Sequence, residues 1–214
     1  MQNKLIKTVL HLIYPTRCPI CSKLIAKDDG FCTKCSAELT RYDGKTDIAN
    51  CDGFSAFCIY NEKIIPAVML LKNGICGNVP NAFAVGLAEI IRNFGVEFDI
   101  ILPVPTDKKT KRRRGYNQAE LLTKKVSELT GIPYDFSVLR KCRKTEEQKT
   151  LTAEERRKNL VGVFEVTEPE KVVGKRVLVL DDVCTTGSTL GEICRVLKSA
   201  NAENVYSVSY CKTK

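Results

Sequence analysis

Residues 177–192 read VLVLDDVCTTGSTLGE. Four apolar residues run directly into two adjacent acids, Asp181 and Asp182, and a small hydroxyl-rich loop follows, Thr185, Thr186, Gly187, Ser188 and Thr189. Paired carboxylates at the end of a buried strand repel one another, and each prefers water to a low-dielectric site. No base within the stretch offsets them, so a ligand, cation or partner is expected to do so. The loop leads into a helix starting at Ser188 or Thr189, and free N–H groups at a helix start, with hydroxyls beside them, cradle anions. Gly187 lets a phosphate approach the backbone. Acids that accept from hydroxyls and a loop that takes phosphate together suit a ribose 5-phosphate, and a Mg²⁺ carried on the same ligand relieves the acid–acid repulsion. A Walker G-x4-G-K-[ST] run, a G-x-G-x-x-G fingerprint and a D-x-D motif are all absent. A plain strand–turn–helix corner capped by Asp explains only one of the two acids.

A second set of residues reads as a metal cage. Cys18, Cys21, Cys32 and Cys35 form two C-x2-C knuckles ten residues apart. Each knuckle aims two sulfurs at one point, and two knuckles give the tetrahedral thiolate set that Zn²⁺ prefers. Disulfides or free thiols are the competing readings, and the paired spacing favours zinc. No ligand position is left open, so the site is structural. Metal binding also supplies folding energy to a segment of about 50 residues with few apolar side chains. The chain has 11 cysteines, and the other seven read mostly as small buried hydrophobes. Cys184 lies inside the acid-pair motif, but the single histidine, His11, is remote in sequence, and Cys184 is taken as a loop residue.

The third feature is a run of bases. DKKTKRRRGYNQ places Lys108, Lys109, Lys111, Arg112, Arg113 and Arg114 ahead of Tyr116. Bases that follow phosphates, next to a ring that stacks on an unpaired base, suit single-stranded nucleic acid. A solvated loop, or a loop closing over a phosphorylated ligand, fits the charge equally well. The net charge of +9 agrees with a polyanionic partner of either kind.

These groups need elements to hold them. The chain has 214 residues, 43% of them hydrophobic, enough for one domain and a small accessory module. The N-terminus reads as a short amphipathic helix (Leu5, Ile6, Val9, Leu10, Ile13) that packs on the rest, not as a signal peptide. No apolar run reaches the ~18 residues of a membrane span, and a cytoplasmic protein is expected. From residue 55 strands and helices alternate. Helices are expected over 79–94, 116–131 and 188–201, and strands over 98–105, 132–141, 164–169, 176–182 and 204–211. Residues 57–72 read as a strand or turn leading into a helix, and 145–162 as a helix or mobile loop. Alternation implies an α/β fold with a mainly parallel sheet covered on both faces. Ligands of such sheets sit beyond the carboxyl ends of the strands, where Asp181 and Asp182 are expected.

VLVLDDVCTTGST resembles the thirteen-residue signature of the type I phosphoribosyltransferases over its full length. LPVPTDKKTKRRRGYNQAELL, then KTEEQKTLTAEERRKNLVGVF, and the four-cysteine module together resemble the ComF family, linked to competence and DNA uptake and also described as amidophosphoribosyltransferase-like. The resemblance covers nearly the whole chain. It implies a type I phosphoribosyltransferase fold over 51–214 behind a zinc-finger module over 1–50. It also implies that the acid-pair motif binds phosphoribosyl pyrophosphate (PRPP) with Mg²⁺, and that Val104, Pro105, Thr106 and Asp107 form a pyrophosphate loop through the backbone N–H groups of Val104, Thr106 and Asp107. Lys72 and the basic run add positive charge there. Transfer in this fold passes through an oxocarbenium-like state and relies on positioning and charge stabilisation. Gln2 follows Met1 where a glutaminase would carry cysteine, so ammonia chemistry is not expected. The competence link tips the basic run toward single-stranded DNA and makes other DNA-uptake proteins candidate partners. The competing expectation is a working phosphoribosyltransferase for an amine or nucleobase, in which the bases serve only its phosphates.

Overall fold

The computed structural model describes residues 15–26, 29–73, 77–143 and 160–214. The expected N-terminal helix, Cys76 and most of the 145–162 segment lie outside the described residues, as does the side chain of Lys108.

The centre is a four-stranded, wholly parallel sheet. Its strands are β1 (Gly53–Ile59), β2 (Ile100–Pro103), β5 (Arg176–Cys184) and β6 (Asn204–Lys212), in the order β1-β6-β5-β2. A two-stranded antiparallel ribbon, β3 (Leu139–Lys141) and β4 (Phe164–Val166), stands apart from it. The helices are α1 (Thr33–Ala37), α2 (Ile65–Lys72), α3 (Val79–Arg92), α4 (Lys108–Arg114), α5 (Gln118–Thr130) and α6 (Ser188–Ser199).

Alternation along β5 shows how the helices cover the sheet. Leu178 and Leu180 face a core built with α2, α3 and α5, through Val68, Leu71, Phe83, Leu87, Leu122 and Val126. Val177 and Val179 face the opposite core, built with α6 through Ile193, Cys194 and Leu197. A strand buried on both faces reads as a continuous apolar run, which is why residues 177–180 carry no polar side chain. The helix starts follow local chemistry. Pro66 and Pro80 sit in the first turns of α2 and α3, where a missing N–H costs nothing. The Asn117 side chain caps α5 by accepting from the Ala119 N–H at 3.0 Å.

Both sheet edges are covered. On the β1 side, Ile59 N donates to Thr40 O at 2.8 Å and Tyr42 N to Phe57 O at 3.2 Å, so residues 40–42 lie antiparallel along β1. On the β2 side, Ile101 N donates to Pro133 O at 2.8 Å and Tyr134 bridges Ile101. This divides the strand expected over 132–141: its start only seals an edge, and its end, Leu139–Lys141, is β3. The strand expected over 164–169 stops at Val166 and is followed by a 3-10 turn at Pro169–Lys171.

Three rings lock the α3 face. Tyr210 stacks on Phe83 with centroids 3.6 Å apart and on Phe57 at 5.0 Å. Phe57 in turn presses on the backbone of α3, where a Cβ on Gly86 would stand 2.6 Å from its ring. The Tyr210 stack and the Arg41 guanidinium over the ring oppose its retreat. Gly86→Ala is therefore expected to lower stability by about 1–3 kcal/mol despite alanine's better helix propensity, measurable by urea unfolding; a stabilised variant would show the ring to be free to move.

Candidate functional site

β5 is longer than its neighbour, and this exposes the acid pair. β2 pairs with β5 only as far as Pro103↔Leu180, whereas β6 continues to Cys184↔Lys212. Asp181 and Asp182 therefore lie within the strand, not after it, on a stretch held from one side only. They project at the carboxyl edge of the sheet, opposite the segment that leaves β2.

The two acids are organised locally. Asp181 Oδ1 accepts from the Asp182 N–H at 2.9 Å, and Asp182 Oδ1 from the Val183 N–H at 3.0 Å. Burial, and then the charge of Asp182, push the Asp181 carboxyl well above the usual carboxylate range. Lys72, at the end of α2, brings its Nζ to 3.8 Å from Asp182 Oδ2. Lys72, placed beside Asp182, thus eases the repulsion that the sequence leaves unanswered.

One cleft of about 250 Å³ collects these groups. Asp181, Asp182, Lys72 and Thr189 line it from the β5 side, and Val104, Pro105 and Thr106 from the β2 side. Arg114, Asn117, Gln118 and Lys141 contribute to its walls, with Leu160 and Phe164 adding an apolar patch. Sequence reasoning placed no role on Asn117, Gln118 or Lys141. The first two stand in the RGYNQ stretch, where only a motif marked them. Lys141 reaches the cleft because β3 folds over it, which no local pattern signals. Burial pulls the Lys141 ammonium below its usual range.

The segment after β2 is only partly free for a ligand. The Val104 N–H donates to Leu180 O at 2.9 Å, and its carbonyl accepts from Asn117 Nδ2 at 3.0 Å. The expected contribution of the Val104 N–H to an anion is corrected by this: the amide continues the β2–β5 ladder. The Asp107 carboxylate caps α4, accepting from Thr110 N at 2.8 Å and Thr110 Oγ1 at 2.9 Å. These bonds hold it below the usual carboxylate range.

The hydroxyl loop is divided in two. Thr189 faces the acid-pair cleft. Thr186, Gly187 and Ser188 instead line a neighbouring hollow of about 170 Å³ with Asp47, Ile48, Ala49 and Asn50. Gly187 has φ +78, a left-handed conformation natural to glycine. The side where its Cβ would stand is filled by Ile48, whose Cγ1 lies 3.1 Å from that point. Close approach to Gly187 on this side is thus made by Ile48 and not left to a phosphate. The Thr185 carbonyl accepts from Lys212 Nζ at 2.8 Å, and Thr186 and Ser188 share a hydroxyl–hydroxyl bond of 2.9 Å. Cys184 is the last residue of β5, not part of the loop, and burial pushes its thiol up to about 11; it is no thiolate nucleophile at neutral pH.

The basic run is a helix, and not the loop that its alternative readings supposed. Asp107 caps the start of α4, and Gly115, at φ +83, stops it. Lys111 pairs with Glu120, and Arg114 donates to Gln118 Oε1 at 3.0 Å. Lys109, Arg112 and Arg113 are exposed. Tyr116 is half-buried and its hydroxyl donates to Leu71 O. The ring expected to stack on a base is thereby tied to the end of α2.

The four cysteines come together. The ligand atoms of Cys18, Cys21, Cys32 and Cys35 all lie within 4.8 Å of one another, and Cys21 and Cys32 approach to 3.6 Å. Tetrahedral zinc with bonds of about 2.3 Å needs sulfurs about 3.8 Å apart, so the set fits the ion, with no fifth position. Burial raises the Cys18 thiol, but hydrogen bonds from the backbone at Cys21, Cys32 and Ile20 bring it down to about 7. The module rests on α3: Asn78 Nδ2 donates to Asp29 O at 2.8 Å, and a Cβ on Gly30 would stand 3.0 Å from Ala82 Cα. Purified protein is expected to carry about one zinc per chain by elemental analysis. Cys32→Ser is expected to lose the metal and lower the melting temperature; full metal content in that variant would exclude the four-thiolate site.

Comparison with known proteins agrees with this geometry. Residues 85–214, more than half of the chain, match the phosphoribosyl transferase domain, and residues 9–46 match the double zinc ribbon domain. Competence protein F of Haemophilus influenzae is 29% identical over 209 residues, covering 92% of this chain and 90% of its own. The DNA utilization protein YhgH of Escherichia coli K12 is 27% identical over 208 residues, with the same coverage. Among solved structures, the B. subtilis glutamine phosphoribosylpyrophosphate amidotransferase complexed with ADP and GMP is 25% identical at a TM-score of 0.43. That match spans 61% of this chain and 26% of the amidotransferase. The chain belongs to the phosphoribosyl transferase domain family and carries a zinc ribbon in front of that domain.

Proposed function

We propose that this chain binds PRPP, with Mg²⁺, in the acid-pair cleft and serves the handling of incoming single-stranded DNA during natural transformation. One observation carries the first half. Asp181 and Asp182 in the last part of β5, Thr189 after it, and Thr106 after β2 line a single cleft at the carboxyl edge of adjacent parallel strands. The acids accept from ribose hydroxyls, as the sequence already suggested. Thr189 and the start of α6 offer the 5-phosphate a hydroxyl and a helix N-terminus. The Thr106–Asp107 backbone faces the pyrophosphate. Lys72 moves from Asp182 toward the ligand's negative charge. Mg²⁺ carried on PRPP would supply the charge that holds its oxygens beside the acids.

The second half rests on α4 and on the relatives. Two proteins similar over 92% of this chain are named for competence and for DNA utilization. α4 gathers six bases in seven residues. Like charges three and four apart destabilise a helix, so an exposed helix of this kind is relieved by a polyanion. Lys109, Arg112 and Arg113 are its exposed contacts, and the zinc module is a second surface for DNA or for another DNA-uptake protein. In this reading residues 1–50 are the zinc module, residues 51–214 the transferase-like domain, and the protein works in the cytoplasm. No described helix is long and apolar enough to cross a membrane.

One observation favours the second reading, an active transferase for an amine or base with no role on DNA. Arg114 lines the cleft, so part of the basic run already serves the ligand site.

Calorimetric titration with Mg²⁺-PRPP is expected to show saturable binding, weakened at least tenfold in Asp182→Asn. Absent binding in a folded wild type would sink the PRPP reading. Single-stranded DNA is expected to bind more tightly than duplex. The triple variant Lys109→Ala, Arg112→Ala, Arg113→Ala is expected to reduce the log–log salt slope by about 2. An unchanged slope would leave the transferase reading alone.

A further inference from the structure

The acid-pair cleft holds a buried donor that nothing in the protein satisfies. Gln118, the first residue of α5, is 5% exposed and lines the cleft. Its Oε1 accepts from Arg114 Nη1 at 3.0 Å. A guanidinium can only donate, so the carboxamide cannot be turned over without setting donor against donor. Oε1 is therefore committed to Arg114, and the Nε2 amino group is left on the other side of the carboxamide. That nitrogen has no partner among the described residues. Two other buried polar atoms share this condition, Thr123 Oγ1 and Tyr210 Oη, and neither residue lines the cleft.

The neighbouring side chain shows the contrast. Asn117 uses both ends of its carboxamide, donating to Val104 O and accepting from Ala119 N. Asn117 thus anchors the segment after β2 and caps α5. Gln118, one residue on, satisfies only its acceptor. A buried donor without a partner is costly, and one on the wall of a cleft can be completed by what the cleft binds.

The chemistry around Gln118 names the ligand's reacting part. Arg114 is a pure donor, and the Thr106 segment adds backbone and hydroxyl groups. Donors gathered in this way take a group that only accepts. The carboxylates of this cleft, Asp181 and Asp182, stand at the β5 side, with Lys72 beside them. We infer that Gln118 donates through Nε2 to an oxygen of the diphosphate group of the bound ligand, with Arg114 as the positioning residue that fixes the carboxamide for this bond. Gln118 then separates phosphoribosyl ligands that carry a diphosphate from those that carry the 5-phosphate alone. The inference rests on the PRPP reading of the cleft.

The test is calorimetry with three probes, Mg²⁺-PRPP, Mg²⁺-pyrophosphate and ribose 5-phosphate, on the full-length protein. Gln118→Leu keeps the bulk and removes the donor. It is expected to weaken PRPP and pyrophosphate about tenfold or more, to leave ribose 5-phosphate unchanged, and to melt no lower than the wild type. Gln118→Glu keeps the acceptor for Arg114 but replaces the donor with negative charge, and is expected to show the same selective loss. It serves as the decisive variant if Gln118→Leu does not fold. Wild-type affinity for PRPP and pyrophosphate in both variants overturns the inference. So does an equal loss of all three probes, which would mark Gln118 as a packing residue. Failure of the wild type to bind PRPP sinks the PRPP reading itself. Loss of PRPP in Asp182→Asn with retention in the Gln118 variants sinks this inference alone.

Discussion

The site depends on an unequal pair of ladders along β5. β2 stops at Leu180 and β6 runs on to Cys184. While both neighbours are present, β5 must be apolar on both faces, because each face is covered by helices. Once β2 leaves, one side of the strand opens and polar side chains become tolerable. The change from Leu180 to Asp181 in sequence marks this change in surroundings. The departing β2 segment then forms the opposite lip of the cleft, held by the Val104–Leu180 bond and the Asn117 clamp.

The zinc module is built into this arrangement, not hung beside it. Its knuckle rests on α3 through Asn78 and Ala82. The chain that leaves it pairs with β1, where Arg41 lies over Phe57, 3.8 Å from the ring centroid, and pairs with Glu89 of α3. It then crosses the start of α6, with Ile48 on Gly187 and Ala49 O 3.2 Å from where a Cβ on Gly191 would stand. The same segment therefore covers the sheet edge and braces the loop expected to receive phosphate.

The bases of α4 divide by position. The helix ends against α5, which turns Arg114 inward to Gln118 and the cleft and joins Lys111 to Glu120, while Lys109, Arg112 and Arg113 remain outside. A single run in sequence thus becomes two surfaces, one lining the acid-pair cleft and one facing solvent. The half-buried Tyr116 marks the boundary, with its hydroxyl committed to Leu71.

Several features were legible in the sequence because they are local. The four cysteines announce their cage by spacing, since a C-x2-C knuckle sets its own geometry. The alternation of helix and strand, and the acid pair at the carboxyl edge, follow from periodicity and from the general position of ligands in parallel sheets. The phosphoribosyltransferase and ComF resemblance rested on contiguous motifs, and the family match and the relatives bear it out. Other features needed the tertiary structure because they join residues far apart in the chain. Lys72 meets Asp182, Lys141 arrives on a separate ribbon, and Ile48 occupies the space over Gly187. The Val104 N–H looked available from sequence but is consumed by the sheet, and Gln118 became conspicuous only when its Nε2 was found without a partner. Spacing along a chain fixes which groups a short segment can present; which of them are already satisfied is decided by packing, because a hydrogen bond depends on what the fold brings opposite.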